Sequence, residues 1–132
     1  MYSLPLAVCD RIRAFSKEVE HLEYEAGDLY GLGSSDFADI VLDRIADNLS
    51  DIGCKLHFLL STTGRERVHH VPARLVRMKG DLDDMARILT CLSERVEVPA
   101  RTAFLGLAER LATHGETAGY LSETALDDEP SA

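Results

Sequence analysis

From Leu75 to Val96, seven apolar residues (Leu75, Met78, Leu82, Met85, Leu89, Leu92 and Val96) recur at strictly alternating steps of three and four. Such a repeat stays on one face of a helix and cannot lie on one face of a strand. A helix with a heptad stripe has to bury it against other helices, which commits the chain to helix-on-helix packing. Two further stripes read the same way. Val8, Ile12, Phe15, Val19, Leu22, Ala26 and Leu29 mark a helix over about 4–30, and Phe37, Val41, Ile45, Leu49, Ile52, Leu56 and Leu59 mark one over about 36–61. The heptad helix opens at Pro72, whose missing N–H costs nothing in a first turn. A shorter fourth helix is predicted from Pro99 to about Thr113, carrying Ala103, Phe104, Leu107 and Leu111.

The breaks between these stripes are short: GLGSS at 31–35, TTGRERVHH at 62–70 and EVPAR at 97–101. Short links between long helices make sequential helices antiparallel neighbours. The expected fold is therefore all-α: an antiparallel up-down four-helix bundle over residues 1–114. An acidic, partly frayed segment follows at 115–132, with a short extra helical turn around Tyr120 and Leu121. A β-hairpin around 55–70 competes, because KLHFLLS and RERVHHV flank a TTG turn and RLVRM could add a strand. The heptad from Leu75 runs on without a change of period, which favours helix.

A chain of 132 residues holds one core. Aromatics make up only 6% of it and tryptophan is absent, while Leu, Ala, Arg, Asp and Glu abound, as helices prefer. Net charge is −9, unevenly spread. Residues 1–53 hold eleven acids against four bases, 54–114 seven against ten, and 115–132 five against none. An acidic total opposes direct binding to nucleic-acid phosphate, which cations drive. The asymmetry instead suggests complementary faces, within the fold or between subunits. No apolar run approaches the roughly 20 residues of a membrane span. The opening MYSLPLAVCDRIR has no basic stretch before its apolar patch, so no signal peptide is expected. Three scattered cysteines (Cys9, Cys54, Cys91) suit a reducing cytoplasm better than a disulfide framework.

DFADIVLDRIADNLSD (36–51) places aspartates at 36, 39, 43, 47 and 51. At 100° per residue they span an arc of about 120° opposite the apolar stripe, as a solvated helix face would. Two features go beyond that reading. Ile40 falls inside the acidic arc, and Cys54 and His57 continue the same face. Like charges one turn apart repel by a few tenths of a kcal/mol per pair. Arg74, Arg77, Arg87 and Arg95, in this chain or another, could relieve that repulsion. Carboxylates one turn apart can also hold Mg²⁺ or Mn²⁺ when a second helix adds oxygens.

YEAGD (24–28), a glycine-containing link and SDFADIVLDRIADNLSDIG (35–53) together resemble the MazG-like all-α nucleoside triphosphate pyrophosphatases. That family pairs an E-E-x-x-E helix with an E-x-x-D helix. The resemblance implies that Glu25 and Asp28 match part of the first motif, and Asp36 and Asp39 the second. These acids would bind Mg²⁺, which activates water to cleave a nucleoside triphosphate between its α and β phosphates. It covers about 30 residues. Tyr24 stands where the leading glutamate should be, Asp replaces Glu at two positions, and the usual helix break before the first motif is missing.

Cys54 and His57 put two soft ligands on one helix face, and His69 and His70 could approach them at the same end of an antiparallel bundle, beside Cys9 and His114. Zinc accepts such a set, although the spacing matches no established finger. Two E-x-x-H strings, Glu18–His21 and Glu66–His69, have the spacing used in di-iron bundles. His21 projects to the wet side, however, and Glu66 lies in a loop. His21 and His57 lack the lysine and glycine that usually follow a phosphotransfer histidine. Cys91 projects away from its stripe with no base beside it.

The favoured expectation is a non-enzymatic, cytoplasmic bundle that binds protein, itself first and then another, with no nucleic acid, membrane or cofactor. Ile40, Val76 and Leu105, apolar yet off their stripes, are its interface candidates. The alternatives are Mg²⁺- or Mn²⁺-dependent nucleotide hydrolysis at Glu25, Asp28, Asp36 and Asp39, or zinc at Cys54, His57, His69 and His70.

Overall fold

A computed structural model describes residues 6–33, 35–61 and 71–127. Four helices account for nearly all of them: α1 (Leu6–Asp28), α2 (Asp36–Leu60), α3 (Val71–Ser93) and α4 (Val98–Asp127). The protein is an all-α bundle, and the described residues contain no strand. KLHFLL forms the last turns of α2 and RLVRM lies within α3, so neither contributes to a hairpin. RERVHH falls outside the described residues.

Local chemistry sets the helix ends. Ser35 is extended (φ −146°, ψ 146°) and its hydroxyl accepts the Ala38 N–H at 3.0 Å, capping α2. Gly31 takes φ +88° in the link before it, a conformation open to glycine. At the other link, Arg101 of α4 donates through Nε to the Ser93 carbonyl (3.1 Å) and through Nη2 to the Val96 carbonyl (3.2 Å). These bonds satisfy carbonyls that the end of α3 leaves open.

Cross-helix neighbours fix the directions. Glu25 meets Arg110 and Glu18 meets His114, so α1 and α4 run antiparallel. Phe58 packs under Arg74 at one end of the α2–α3 seam, and Phe37 lies beside Arg95 at the other. Glu23 with Leu49 and Arg13 with Leu60 set α1 against α2. Every neighbouring pair is antiparallel, in up-down-up-down order. One continuous apolar cluster runs through the bundle, including Phe15, Leu42, Leu82 and Phe104, each at most 1% exposed. Helices α3 and α4 pack most closely, and of the neighbouring pairs α2 and α3 meet least.

Two expectations need correction. The fourth helix does not stop near Thr113. It continues through His114 and Gly115, and the turn expected at Tyr120–Leu121 belongs to α4, docking through buried Ala118 and Leu121. Gly115 is a contact here and not a breaker: a methyl group on it would overlap the Asp83 carboxylate of α3. The stripe on α2 is also out of phase at its start. Ala38 and Leu42 are buried, while Phe37 is 58% exposed and Val41 half-buried. Four consecutive residues turn the chain by 400°, so three steps of four leave Phe37 about 120° from Leu49.

Candidate functional site

The displaced start of the α2 stripe opens a strongly apolar groove on the surface. Phe37 and Val41 form one wall, Ile88 and Leu92 of α3 the other, and Arg87 and Arg95 stand on the far rim. Its volume is about 310 Å³. Phe37 and Ile88 are each more than half exposed, as is Ile40 one turn along α2. The groove exists because α2 and α3 meet loosely while their common core lies deeper, at Ala38, Leu42, Leu89 and Leu92.

The acids of α2 flank it. Asp36, Asp43 and Asp47 fall within about 40° of one another on the helix, with Ile40 between them and Phe37. Asp39 turns toward the preceding link, where its Oδ1 accepts the Gly31 N–H at 2.8 Å. Tyr30, half exposed in the same link, feels this charge. Asp43 first, then Asp39, a little desolvation and Asp36 hold its phenol above its ordinary value of 10.0, because a phenolate would sit among carboxylates. Asp36 and Asp39 also complement the positive end of the α2 dipole.

No protein-family model, curated protein or solved structure matches the chain.

The acids named for Mg²⁺ are placed separately. Glu25 is bound to Arg110 of α4 at 2.5 Å, Asp28 is exposed at the end of α1, Asp36 opens α2, and Asp39 holds the link. Among the described residues, no group of three or more His, Cys, Asp or Glu side chains is placed to hold a metal ion. Cys54 and His57 are exposed on α2, one turn apart, facing Ser16, Glu20 and Glu23 of α1 across a shallow polar cleft. His69 and His70 lie outside the described residues, as does Glu66.

The interface candidates lie apart. Ile40, 58% exposed, lies beside the α2–α3 groove, between Phe37 and the acids. Val76, 55% exposed, sits near the start of α3, at the opposite end of the bundle. Leu105 lines a wide, shallow trough between α3 and α4 with Ala108, Ala112, Thr90 and Cys91. Phe37 and Ile88, which sequence reasoning did not single out, belong with Ile40. The angular drift of the α2 stripe was the available signal for Phe37.

His114 was also missed as a structural residue. Its ring stacks on Phe15 (centroids 6.3 Å apart), its Nδ1 lies 2.6 Å from the Arg110 carbonyl, and its Nε2 lies 3.4 Å from Glu18. Steps of three from Leu111 and four to Ala118 place it on the α4 stripe, which was the legible sign.

Proposed function

We propose that this bundle is a non-enzymatic interaction module that acts by binding protein, its own copies first. The reading is supported above all by Phe37 and Ile88, which line one apolar groove, and Ile40 one turn from Phe37, each more than half exposed. Large apolar side chains gathered on one face mark interaction sites more often than the same residues scattered singly. The arginine rim and the acidic edge beside that groove supply charges of both signs for partner selection. The cytoplasmic setting belongs to the same reading. No described helix is long and apolar enough to cross a membrane.

Native mass spectrometry of the purified protein, before and after chelation, tests this reading. A metal-free dimer or higher oligomer is expected, and Ile40→Asp should dissociate it while the far-UV circular dichroism stays helical. A monomer that captures no partner protein at micromolar concentration overturns the proposal. So does a stoichiometric divalent metal with nucleoside triphosphate cleavage that Asp39→Ala abolishes.

A further inference from the structure

The face around Phe37 has a fixed order of chemistry from edge to edge. Acids come first (Asp36, Asp43 and Asp47), then Ile40 and the apolar groove of Phe37, Val41 and Ile88, and then an edge on which the bases Arg95 and Arg87 flank a single acid, Asp84, for a net positive charge. The heights of the charges can be read from the antiparallel seam. Phe58 lies against Arg74, and Phe37 beside Arg95. Each helix advances 21 residues between these pairs, so the register is constant along the seam. Arg95 therefore stands level with Phe37, one residue from Asp36. Arg87 stands level with Ile45, two residues from both Asp43 and Asp47. At 1.5 Å per residue, each base lies within about 3 Å, measured along the bundle, of an acid on the opposite edge.

A face ordered acid, apolar, base is complementary to itself under one operation. A two-fold axis lying in the interface and parallel to the helices brings the acidic edge of one copy against the basic edge of the other at the same height. A two-fold across the helices would instead set acid on acid and base on base. We propose that the occupant of the α2–α3 groove is a second copy of this chain, related by a two-fold parallel to the bundle axis. Asp36 of each copy pairs with Arg95 of the other, and Asp43 and Asp47 with Arg87. Phe37, Ile40 and Ile88 of both copies fill the centre. This rests on the self-association proposed above and specifies its face and symmetry.

The charges on this face are free to rearrange. Arg95 has no side-chain partner among the described residues. Among the described residues Arg87 is engaged by Asp84 of its own helix, an exposed pair of the kind worth little, which Arg87 would exchange for the partner's acids. Arg44 is the one base inside the strip. It lies near the axis, and its long stem can cover apolar surface while its head turns to the acidic edge.

Paired charge-swap variants test the geometry. R87D/R95D makes both edges acidic, and D36R/D43R makes both basic. All four positions are exposed, and circular dichroism checks that both variants remain helical. Sedimentation should show each variant self-associating at least tenfold more weakly than wild type. An equimolar mixture should recover a heterodimer that added salt weakens. As a second readout, Phe37→Cys in a C54S/C91S background should cross-link to its own copy, because that position lies near the axis.

The outcomes separate the two proposals. A wild-type monomer at all concentrations overturns self-association itself. A wild-type dimer that either variant leaves intact, or variants that fail to pair when mixed, leaves self-association standing and overturns this face and symmetry.

Discussion

Three glycines have two opposite roles here, and the space around each decides which. Gly33 lies in the link that closes one end of the bundle. A methyl group on it would stand 2.7 Å from the Ala38 Cβ and 3.4 Å from both Phe104 and Val96. Gly33→Ala should therefore destabilise the fold by about 1–3 kcal/mol, as overpacking does. Gly53 of α2 and Gly80 of α3 are helical with open space where a Cβ would go. Gly53→Ala or Gly80→Ala should stabilise it by about 0.4–1 kcal/mol, since alanine loses less backbone freedom on folding. Chemical denaturation of the three variants checks both signs, and a stabilised Gly33→Ala would refute the packing of that link. Tyr30 makes a separate residue-scale prediction. Its phenol is raised in the folded state, first by Asp43, so the folded protein holds that proton more tightly than the unfolded chain. Tyr30 thus adds no pH dependence below its ordinary value near 10, and stability falls as pH rises through that range. Asp43→Asn should move the phenol back toward 10, as read by ultraviolet titration against Tyr30→Phe. An unmoved titration would place Tyr30 away from the acidic face.

At the scale of the helix, period and punctuation made most of the fold legible. The heptad from Leu75 predicts α3 to within a few residues of Val71–Ser93, and Ser34–Ser35 after glycine marks the α2 cap. Where the sequence misled, one rule had been applied without its competitor. Gly115 reads as a helix stop because glycine is a poor helix former. Yet Ala118 and Leu121 continue the buried stripe, and the missing side chain admits the Asp83 carboxylate. Phe37 reads as core because it is apolar and four residues from Val41, but successive steps of four drift off the face. The candidate site lies in that discrepancy, so its residues were visible while their assembly was not. Arg101 was likewise unremarkable in sequence, since its role depends on α3 ending beside it. Arg101→Ala removes two hydrogen bonds to the Ser93 and Val96 carbonyls and should cost about 1–2 kcal/mol. Ser35→Ala should cost a similar amount, about 0.5–2 kcal/mol, by uncapping α2. Thermal unfolding checks both. An Arg101→Ala variant as stable as wild type would show that water serves those carbonyls equally well.

Across the whole molecule, the order of packing matters more than any one contact. Helices α3 and α4 approach closely along Gly115 and Gly119, whereas α2 and α3 leave a groove between them. This could be a recipe for two hairpins, α1–α2 and α3–α4, that unfold separately. The core argues otherwise. Phe15 of α1, Leu42 of α2, Leu82 of α3 and Phe104 of α4 are members of one cluster, so neither hairpin keeps a closed core when the other leaves. Unfolding should then be a single cooperative transition, as in most domains of this size. The chain has no tryptophan, and three of its four tyrosines report from distant places: Tyr24 and Tyr30 near the end of α1, and Tyr120 late in α4 at the opposite end of the bundle. Tyrosine fluorescence and far-UV circular dichroism should therefore give coincident curves in urea. Phe104→Ala should move both together by about 3–5 kcal/mol, because it opens a cavity in the shared core. The exposed Phe37→Ala should move the monomer's curves far less, although it is the same change of side chain. Transitions that separate by probe, or a Phe104→Ala that shifts only one, would show two hairpins that merely touch. In that case the α2–α3 groove would be a seam that opens within one copy, rather than a face held ready for another.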